Sequence, residues 1–286
     1  MPVKNRIADW QEDLTEWRRH LHAHPELRFE EHETARFVVE KLRAFGCDEV
    51  IEGVGQTGVV AVIRGRQGGS GRTIAFRADM DALPILEQTG ADYASTVPGK
   101  MHACGHDNHI AGLMGAAEIL ASMKEDLPGT VKFIFQPAEE GAPLGEKGGA
   151  PYMVEEGVMN NPKGDAIFGL HAWPGLLGTA QYRSGPMMAA AERMRITVTG
   201  VQTHGAVPWG GVDPIVVSSQ IVNALQTIVA REVDITKVPA IVTIGSIHGG
   251  VRNNIIPEEV VMEGTIRTFN EDVRQQIHAS IRNKEE

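Results

Sequence analysis

The sequence predicts an α/β fold in two parts, a mixed sheet flanked by helices over residues 1–186 and a ferredoxin-like α+β unit over residues 187–286. Three observations support this. Short β-branched or apolar runs alternate with amphipathic segments up to Leu170, the pattern of a largely parallel sheet covered on both faces. The pattern restarts after Gly185-Pro186. The second part then reads strand, helix, strand, strand, helix, which lacks only the last strand of a split βαβ unit, so the domain is expected to be incomplete.

In order, Ile7, Trp10, Leu14, Trp17 and Leu21 make one stripe on a helix expected from Asn5 to His22, and Pro25 ends it. A second helix is expected over about Glu31 to Phe45, with Phe37, Val38, Leu42 and Phe45 inward and Gly46 as its stop. Val59–Ile63 and Thr73–Phe76 read as strands forming a hairpin or close neighbours across the turn-rich Gly65–Arg72. A helix follows from about Asn108 to Met123, then a strand Thr130–Phe135, a short helix Ala150–Glu156 and a strand Ala166–Leu170. The second part predicts strands Arg193–Thr199, Ala240–Ile247 and Val260–Thr268, a helix Pro214–Arg231, and a last helix beginning near Asn270. The tail Arg282–Glu286 carries no cap, Gly or Pro, so the chain is expected to stop mid-domain.

Composition excludes several function classes. Lys plus Arg number 27 against 37 Asp plus Glu, a net charge of −10 without a basic block, so a nucleic-acid groove is not expected. The start MPVKNRIADWQ has no apolar signal core and no run approaches the ~18 apolar residues of a membrane span. A cytoplasmic chain without membrane partners is the expectation. Cys47 and Cys104 do not read as a disulfide framework; Cys47 is expected to be a half-buried free thiol.

Reactive side chains gather in four places, each after an expected strand or before a helix: Arg77-Ala-Asp79-Met-Asp81, Met101 to His109, Gln136 to Gly141, and Leu170-His171-Ala-Trp-Pro174. Open α/β sheets bind ligands beyond the carboxyl ends of their strands, so the four should converge. Cys104, His106, Glu140 and His171 supply the thiolate, imidazole and carboxylate of a zinc-type site. The pair Glu139-Glu140 suggests one ligand and one general base, and His109 is a rival ligand by spacing. His20, His22 and His24 read as capping or packing residues, and His32, His102, His248 and His278 as structural. Gly53-Val-Gly55-Gln-Thr-Gly58 matches a dinucleotide fingerprint but precedes a strand instead of a helix, and is read as a turn. A thiol hydrolase using Cys104 with His106 or His171 is the alternative catalytic reading.

The segments RADMDALP, MHACGHDNH, FQPAEEG and GLHAWP, in this order, resemble the hippurate hydrolase and auxin-conjugate hydrolase branch of the aminoacylase/carboxypeptidase metallohydrolases. The resemblance extends to HLHAHPELRFEEHET, THGAVPWGGVDPI, GGVRNNIIP and EGTIRTF. It implies a zinc-peptidase-like catalytic domain with an inserted lid and dimerisation domain, a homodimer, two divalent metals (Zn, Mn, Co or Ni), and hydrolysis of N-acyl amino acids. By this resemblance Cys104, His106, Glu140 and His171 are metal ligands, Glu139 is the general base and Asp79 an orienting group. It also makes His204 an oxyanion donor reaching a neighbouring subunit's site, and Asn254 and Arg267 holders of the substrate carboxylate. Arg77 stands where the wider superfamily has a ligating His, and Cys104 is implied to take over that role. The family implies roughly another hundred residues with a last ligating His. A shortened, inactive, dimeric metal-binding remnant is therefore the competing expectation, and a dipeptidase or desuccinylase the nearest enzymatic one.

Overall fold

A computed structural model describes residues 7–67, 71–142 and 145–285. The chain divides into two compact units between Leu176 and Leu177, ahead of the Gly185-Pro186 where the sequence pattern restarts. The expected helix start at Asn5, the end at Glu286 and the middle of the Gly65–Arg72 turn lie outside the described residues.

The first unit contains α1 (Gln11–Ala23), α2 (His32–Ala44), β1 (Glu49–Val54), β2 (Gly58–Arg64), β3 (Thr73–Asp79), α3 (His106–Ala121), β4 (Thr130–Gln136), α4 (Gly149–Glu155) and β5 (Ala166–Gly169). Helix α1 stops at Ala23 because the residue before Pro25 is sterically kept out of helical geometry. It buries Trp17 and Leu21, whereas Ile7 at the head of the expected stripe is 41% exposed. Helix α2 buries Val38, Val39 and Leu42 and ends at Gly46, whose φ of +81° suits the left-handed residue that closes a helix.

The sheet order is β1-β2-β4-β3-β5. Strands β1/β2 and β2/β4 pair antiparallel, while β3 pairs parallel with both β4 and β5. The sheet is thus mixed, as the fold class expected, with the parallel pairing confined to β4, β3 and β5. Strands β2 and β3 are not neighbours as expected, because β4 lies between them. The buried side chains of β2 and β4 explain this, since strands covered on both faces belong at the sheet's centre. Strand β1, a Glu-rich edge, was not legible as a strand. It turns Gly53–Gly58 into a hairpin connection with positive φ at Gly55 and Gln56, as primed turns require. Double coverage fails at β5, where Ile167 and Phe168 are exposed.

Under the sheet, Phe133, Phe135, Ile63, Met80, Ile110 and Met114 form the core with the faces of α1, α2 and α3. Each fully buried Phe is worth about 1.5–3 kcal/mol of transfer free energy. Lys132, also buried in β4, donates from Nζ to the carbonyls of Val158 and Pro162 at 2.6 and 2.7 Å, which compensates its charge and fastens the loop after α4.

The second unit contains β6 (Ala190–Thr199), β7 (Thr203–His204), α5 (Pro214–Thr227), β8 (Ala240–Gly249), β9 (Ile255–Ile256), β10 (Glu259–Thr268) and α6 (Glu271–Glu285). Strands β6-β10-β8 form an antiparallel sheet in that order, and β7 pairs with β9. Met194, Ile196, Val260, Met262 and Ile266 meet Ile221, Leu225, Ile277 and Ile281 of the two helices. The Asp213 side chain caps α5 by accepting the N–H groups of Ile215 and Val216, with Pro214 in the first helical position. Asn270 Oδ1 accepts from the Val273 N–H at 3.0 Å, close to the start expected for α6. The short strands β7 and β9 were missed because two residues carry no periodicity.

A buried polar brace joins α1 to α3. Asp107 accepts from His22 Nδ1 at 2.7 Å and pairs with Arg18 Nε at 2.8 Å; His22 Nε2 lies 3.2 Å from Glu87 Oε1. His24 instead bonds the His20 carbonyl at 2.7 Å. The hydrogen bond to Asp107 raises the His22 pKa despite burial. A raised imidazole pKa stabilises the fold fully below its unfolded value and ceases to do so as pH climbs through the folded value. Comparing denaturant unfolding of the wild type with His22→Gln across pH, the wild-type advantage should be greatest below about pH 6.5 and shrink above it. A gap that widens with rising pH would contradict the brace.

Candidate metal centre

The site is built where parallel strands end together. Asp79 at the end of β3 stands in register with Gln136 at the end of β4, so Asp81 and the Pro137–Gly141 loop leave the sheet side by side. Strand β5, parallel to β3, runs on to His171. Helix α3 starts at His106, two residues earlier than expected. Its cap Gly105 has φ +86°, and a Cβ there would meet the Ala172 Cβ at 3.0 Å, so glycine suits both the turn and the close approach.

Asp81 ties these pieces to one another. Its carboxylate accepts the Glu139 and Glu140 N–H groups, each at 2.9 Å, and its carbonyl accepts from His106 Nδ1 at 2.8 Å. Glu31, fully buried, accepts the Ala138 N–H at 2.9 Å and the Thr57 hydroxyl at 2.5 Å. The Glu139-Glu140 turn therefore hangs from two buried carboxylates, and Ala138 is held at φ +46°. Neither Asp81 nor Glu31 was assigned a role from sequence. For Asp81 the signal was present: positions 79 and 81 alternate onto one face of an extended segment.

Because a carbonyl can only accept, the bond to Asp81 puts a proton on His106 Nδ1, so in the neutral ring Nε2 carries the free lone pair. That atom is buried without a hydrogen-bond partner. Around it lie Asp79 Oδ1 at 3.7 Å, Glu139 Oε2 at 3.8 Å and Glu140 Oε1 at 3.8 Å, the last also buried and unpartnered. His171 is oriented likewise, its Nδ1 donating to the Ala172 carbonyl at 2.7 Å while Nε2 faces Cys104 Sγ at 3.5 Å. Ligating histidines characteristically tie their second nitrogen in this way.

Among the described residues, three sets of potential ligand atoms meet the spacing of a metal site: Cys104, His106 and His171; Asp79, His106 and His109; His106, Glu139 and Glu140. His106 belongs to all three. His109 is already engaged at both nitrogens, Nδ1 with Asp79 Oδ1 at 2.5 Å and Nε2 accepting the Ala172 N–H at 2.6 Å. The rival ligand thus positions Asp79 and the His171 segment instead. Arg77 gives Nη1 to Asp79 at 2.5 Å and Nε to Gln136 at 2.9 Å.

Electrostatics agree with a cation at this place. Burial pushes the Cys104 thiol up, and the Glu140 hydrogen bond and the charges of Glu140, Glu139 and Asp79 add to this, to about 12. Burial raises the Glu139 carboxyl and Asp79 raises it further. Burial would also raise Asp79, but the His109 hydrogen bond and the charges of His106 and Arg77 hold it at about 2. A thiol that carboxylates keep protonated is a poor nucleophile, which counts against a Cys104 thiol hydrolase. A divalent ion would pull the Cys104 and Glu139 pKa values back down and reinforce the low value at Asp79. Thiolate, imidazole and carboxylate with two free buried lone pairs fit such an ion. His102, read as structural, is buried with both ring nitrogens unpartnered, and burial pushes it down to about 4.

The remaining residues expected at the site lie in the second unit. The pairing of β7 with β9 sets His204 beside Ile255, and the Gly205 N–H donates to the Asn254 carbonyl at 2.8 Å, so His204 and Asn254 are neighbours on an exposed surface. His204 Nδ1 accepts the Ala206 N–H at 3.0 Å. Arg267 turns Nη1 onto the carbonyls of Ile266 at 3.0 Å and Glu192 at 3.4 Å. Among the described residues no helix is long and apolar enough to cross a membrane, and both cysteines are free.

Comparison with known proteins places these features in a wider setting. The chain is 43% identical to an N-acyl-L-amino acid amidohydrolase of Geobacillus stearothermophilus, over 96% of its own length and 72% of the relative's. It is 44% identical to thermostable carboxypeptidase 1 of Saccharolobus solfataricus, over 95% of this chain and 67% of that one. The crystal structure of the Bacillus subtilis YXEP protein, described as a dinuclear metal-binding peptidase of the M20 family, superposes with a TM-score of 0.78 at 40% identity, covering 98% of this chain and 70% of that one. A sequence model of peptidase family M20/M25/M40 matches residues 75–279, from the strand that delivers Asp79 into the last helix. The strand ends that gather the histidines and carboxylates are thus those of a known lineage, and the chain belongs to peptidase family M20/M25/M40.

Proposed function

We propose that this protein is a metal-dependent amidohydrolase that cleaves N-acyl amino acids to a carboxylic acid and a free amino acid. The observation that carries the reading is the buried, unpartnered His106 Nε2 ringed by carboxylate oxygens at 3.7–3.8 Å, next to the Cys104 and His171 pair. The amidohydrolase named among its relatives supports the choice of reaction.

Cys104, His106, Glu140 and His171 are the residues we assign to holding metal, and the dinuclear YXEP relative supports a pair of divalent ions. Such ions supply Lewis-acid polarisation of the amide carbonyl and lower the pKa of water. Glu139 is the proton carrier. It lies near His106 and its turn is fixed by Asp81 and Glu31, which suits a carboxylate that takes a proton from water and gives it to the departing amine. Asp79 and His109 orient the residues that hold metal.

His204 fits an oxyanion donor supplied across a homodimer, because its Nδ1 accepts from Ala206 and the ring proton is left on Nε2. Asn254 beside it is available for the substrate carboxylate. Arg267 serves the same end only by leaving the carbonyls it now contacts.

Three variants test the assignment. Glu139→Gln should retain divalent metal, measured by elemental analysis after gel filtration, yet lose about 10²–10⁴ in kcat. Glu140→Gln should lose metal; the opposite pattern exchanges the two roles. Asp81→Ala should weaken divalent-ion affinity by about 10–100-fold in calorimetric titration, because the Glu139-Glu140 turn loses the carboxylate that holds its N–H groups, while the Asp81 carbonyl still orients His106. Stoichiometric metal without hydrolysis of benzoyl- or acetyl-amino acids would overturn the enzymatic reading and leave a metal-binding protein.

A further inference from the structure

Between β3 and α3 the chain runs from Leu83 to Met101 without helix or strand, and its ends are pinned together, the N–H of each donating to the other's carbonyl at 3.0 Å. A long irregular segment closed at its base has the form of a compact functional loop. Glu87, Thr89, Ala91 and Tyr93 make it one wall of a cavity of about 360 Å³ whose lining also includes Cys104 and Gly105.

Few bonds hold this loop down. Thr96 fastens its second half, giving both its N–H and its hydroxyl to the Ala23 carbonyl at the end of α1, at 2.8 and 2.7 Å. Tyr93 lays its ring against the guanidinium groups of Arg18 and Arg19. From Ile85 to Tyr93, among the described residues, the hydrogen bond that leaves the loop is the one between Glu87 Oε1 and His22 Nε2 at 3.2 Å. Glu87 is also the loop's own hub, accepting the Thr89 hydroxyl and the Ser95 N–H. Releasing Glu87 from His22 therefore unfastens the first half of the loop.

That bond depends on a proton. His22 has a carboxylate at each ring nitrogen, Asp107 at Nδ1 and Glu87 at Nε2, and an ionised carboxylate can only accept, so both bonds exist together only when the ring carries two protons. Burial would raise the Glu87 carboxyl, but the Thr89 hydroxyl, the Ser95 N–H and His22 hold it below the ordinary range, so it stays an acceptor. The other charged or titratable neighbours of the ring are Arg18, whose charge opposes the imidazolium, His102, which burial keeps neutral, and Tyr93, edge-on at 5.4 Å. Asp107 is the nearer carboxylate, at 2.7 Å against 3.2 Å, and is fully buried. A ring with one proton therefore keeps it on Nδ1 and turns a lone pair toward Glu87.

We propose that the Leu83–Met101 loop is a proton-operated lid on this cavity: the doubly protonated His22 ring latches it through Glu87, and departure of the Nε2 proton to water releases it. Such a latch is closed below the pH at which folded His22 titrates and opens above it, and the raised His22 pKa places that point above the ordinary 6.5. Access to the cavity beside Cys104 then increases with pH whatever reaction the site performs.

Hydrogen–deuterium exchange of the whole protein, read by peptide mass spectrometry and divided at each pH by the intrinsic rate, tests the latch between about pH 6 and 9. In the wild type, peptides covering 85–95 should lose protection above the His22 pKa by up to about tenfold per pH unit, the slope that one proton sets, while peptides of α3 stay protected. Two variants on the loop itself leave the buried His22–Asp107 pair in place. Glu87→Ala should make 85–95 exchange fast at every pH. Glu87→Gln carries an amide N–H that can donate to the singly protonated ring, so its protection should no longer fall as pH rises. Wild-type protection of 85–95 that does not change with pH, or wild-type protection retained in Glu87→Ala, would overturn the lid. So would an equal fall in Glu87→Gln, or a loss shared by α3, which would place the effect in the buried brace as a whole.

Discussion

The site depends on a single residue's two-sided use. Asp81 offers its carboxylate to the turn after β4 and its carbonyl to the first histidine of α3, so one side chain and its own peptide set the distances between Glu139, Glu140 and His106. This works only because β3 and β4 run parallel and finish level, delivering Asp81 and the Glu-Glu turn to the same edge. In an antiparallel pair, one segment would enter the sheet where the other leaves it, and the acids would lie at opposite ends.

Concentrating acids in this way creates an electrostatic difficulty that the rest of the first unit answers by degrees. Buried carboxylates farther from the centre are satisfied locally, Asp107 by Arg18 and His22, Glu31 by a backbone N–H and a hydroxyl. Asp79 is satisfied by Arg77 and His109. At the centre, Glu140 Oε1 and His106 Nε2 are left without protein partners. Their lone pairs converge, and the burial that would penalise them in isolation strengthens their hold on a cation. The resemblance read from sequence set Arg77 where related enzymes have a ligating histidine. Here its guanidinium is committed to Asp79 and Gln136, while Cys104 Sγ lies 3.5 Å from His171 Nε2.

The second unit organises chemistry by different means. Its helices pack on one face of an antiparallel sheet and contribute no potential ligand set among the described residues. A two-residue pairing, β7 with β9, brings His204 and Asn254 to one surface. Both residues are exposed there.

Much of this was legible in the chain itself. The alternation of elements, the restart after Gly185-Pro186 and the four polar clusters follow from short-range periodicity and from residue types that few other roles demand. Sheet order was not, because β2 and β3 are each plausible neighbours of the other until β4, folded from more distant sequence, takes the space between them. The Glu-rich β1 was hidden for a related reason: an edge strand lacks the apolar alternation that burial imposes. Sequence alone determined which residue types stand near the strand ends. Only the tertiary structure decided their hydrogen-bond partners, since whether His109 or His106 has a free nitrogen, and whether Asp81 or Glu31 anchors a turn, depends on which backbone N–H and carbonyl groups the fold brings within hydrogen-bonding distance.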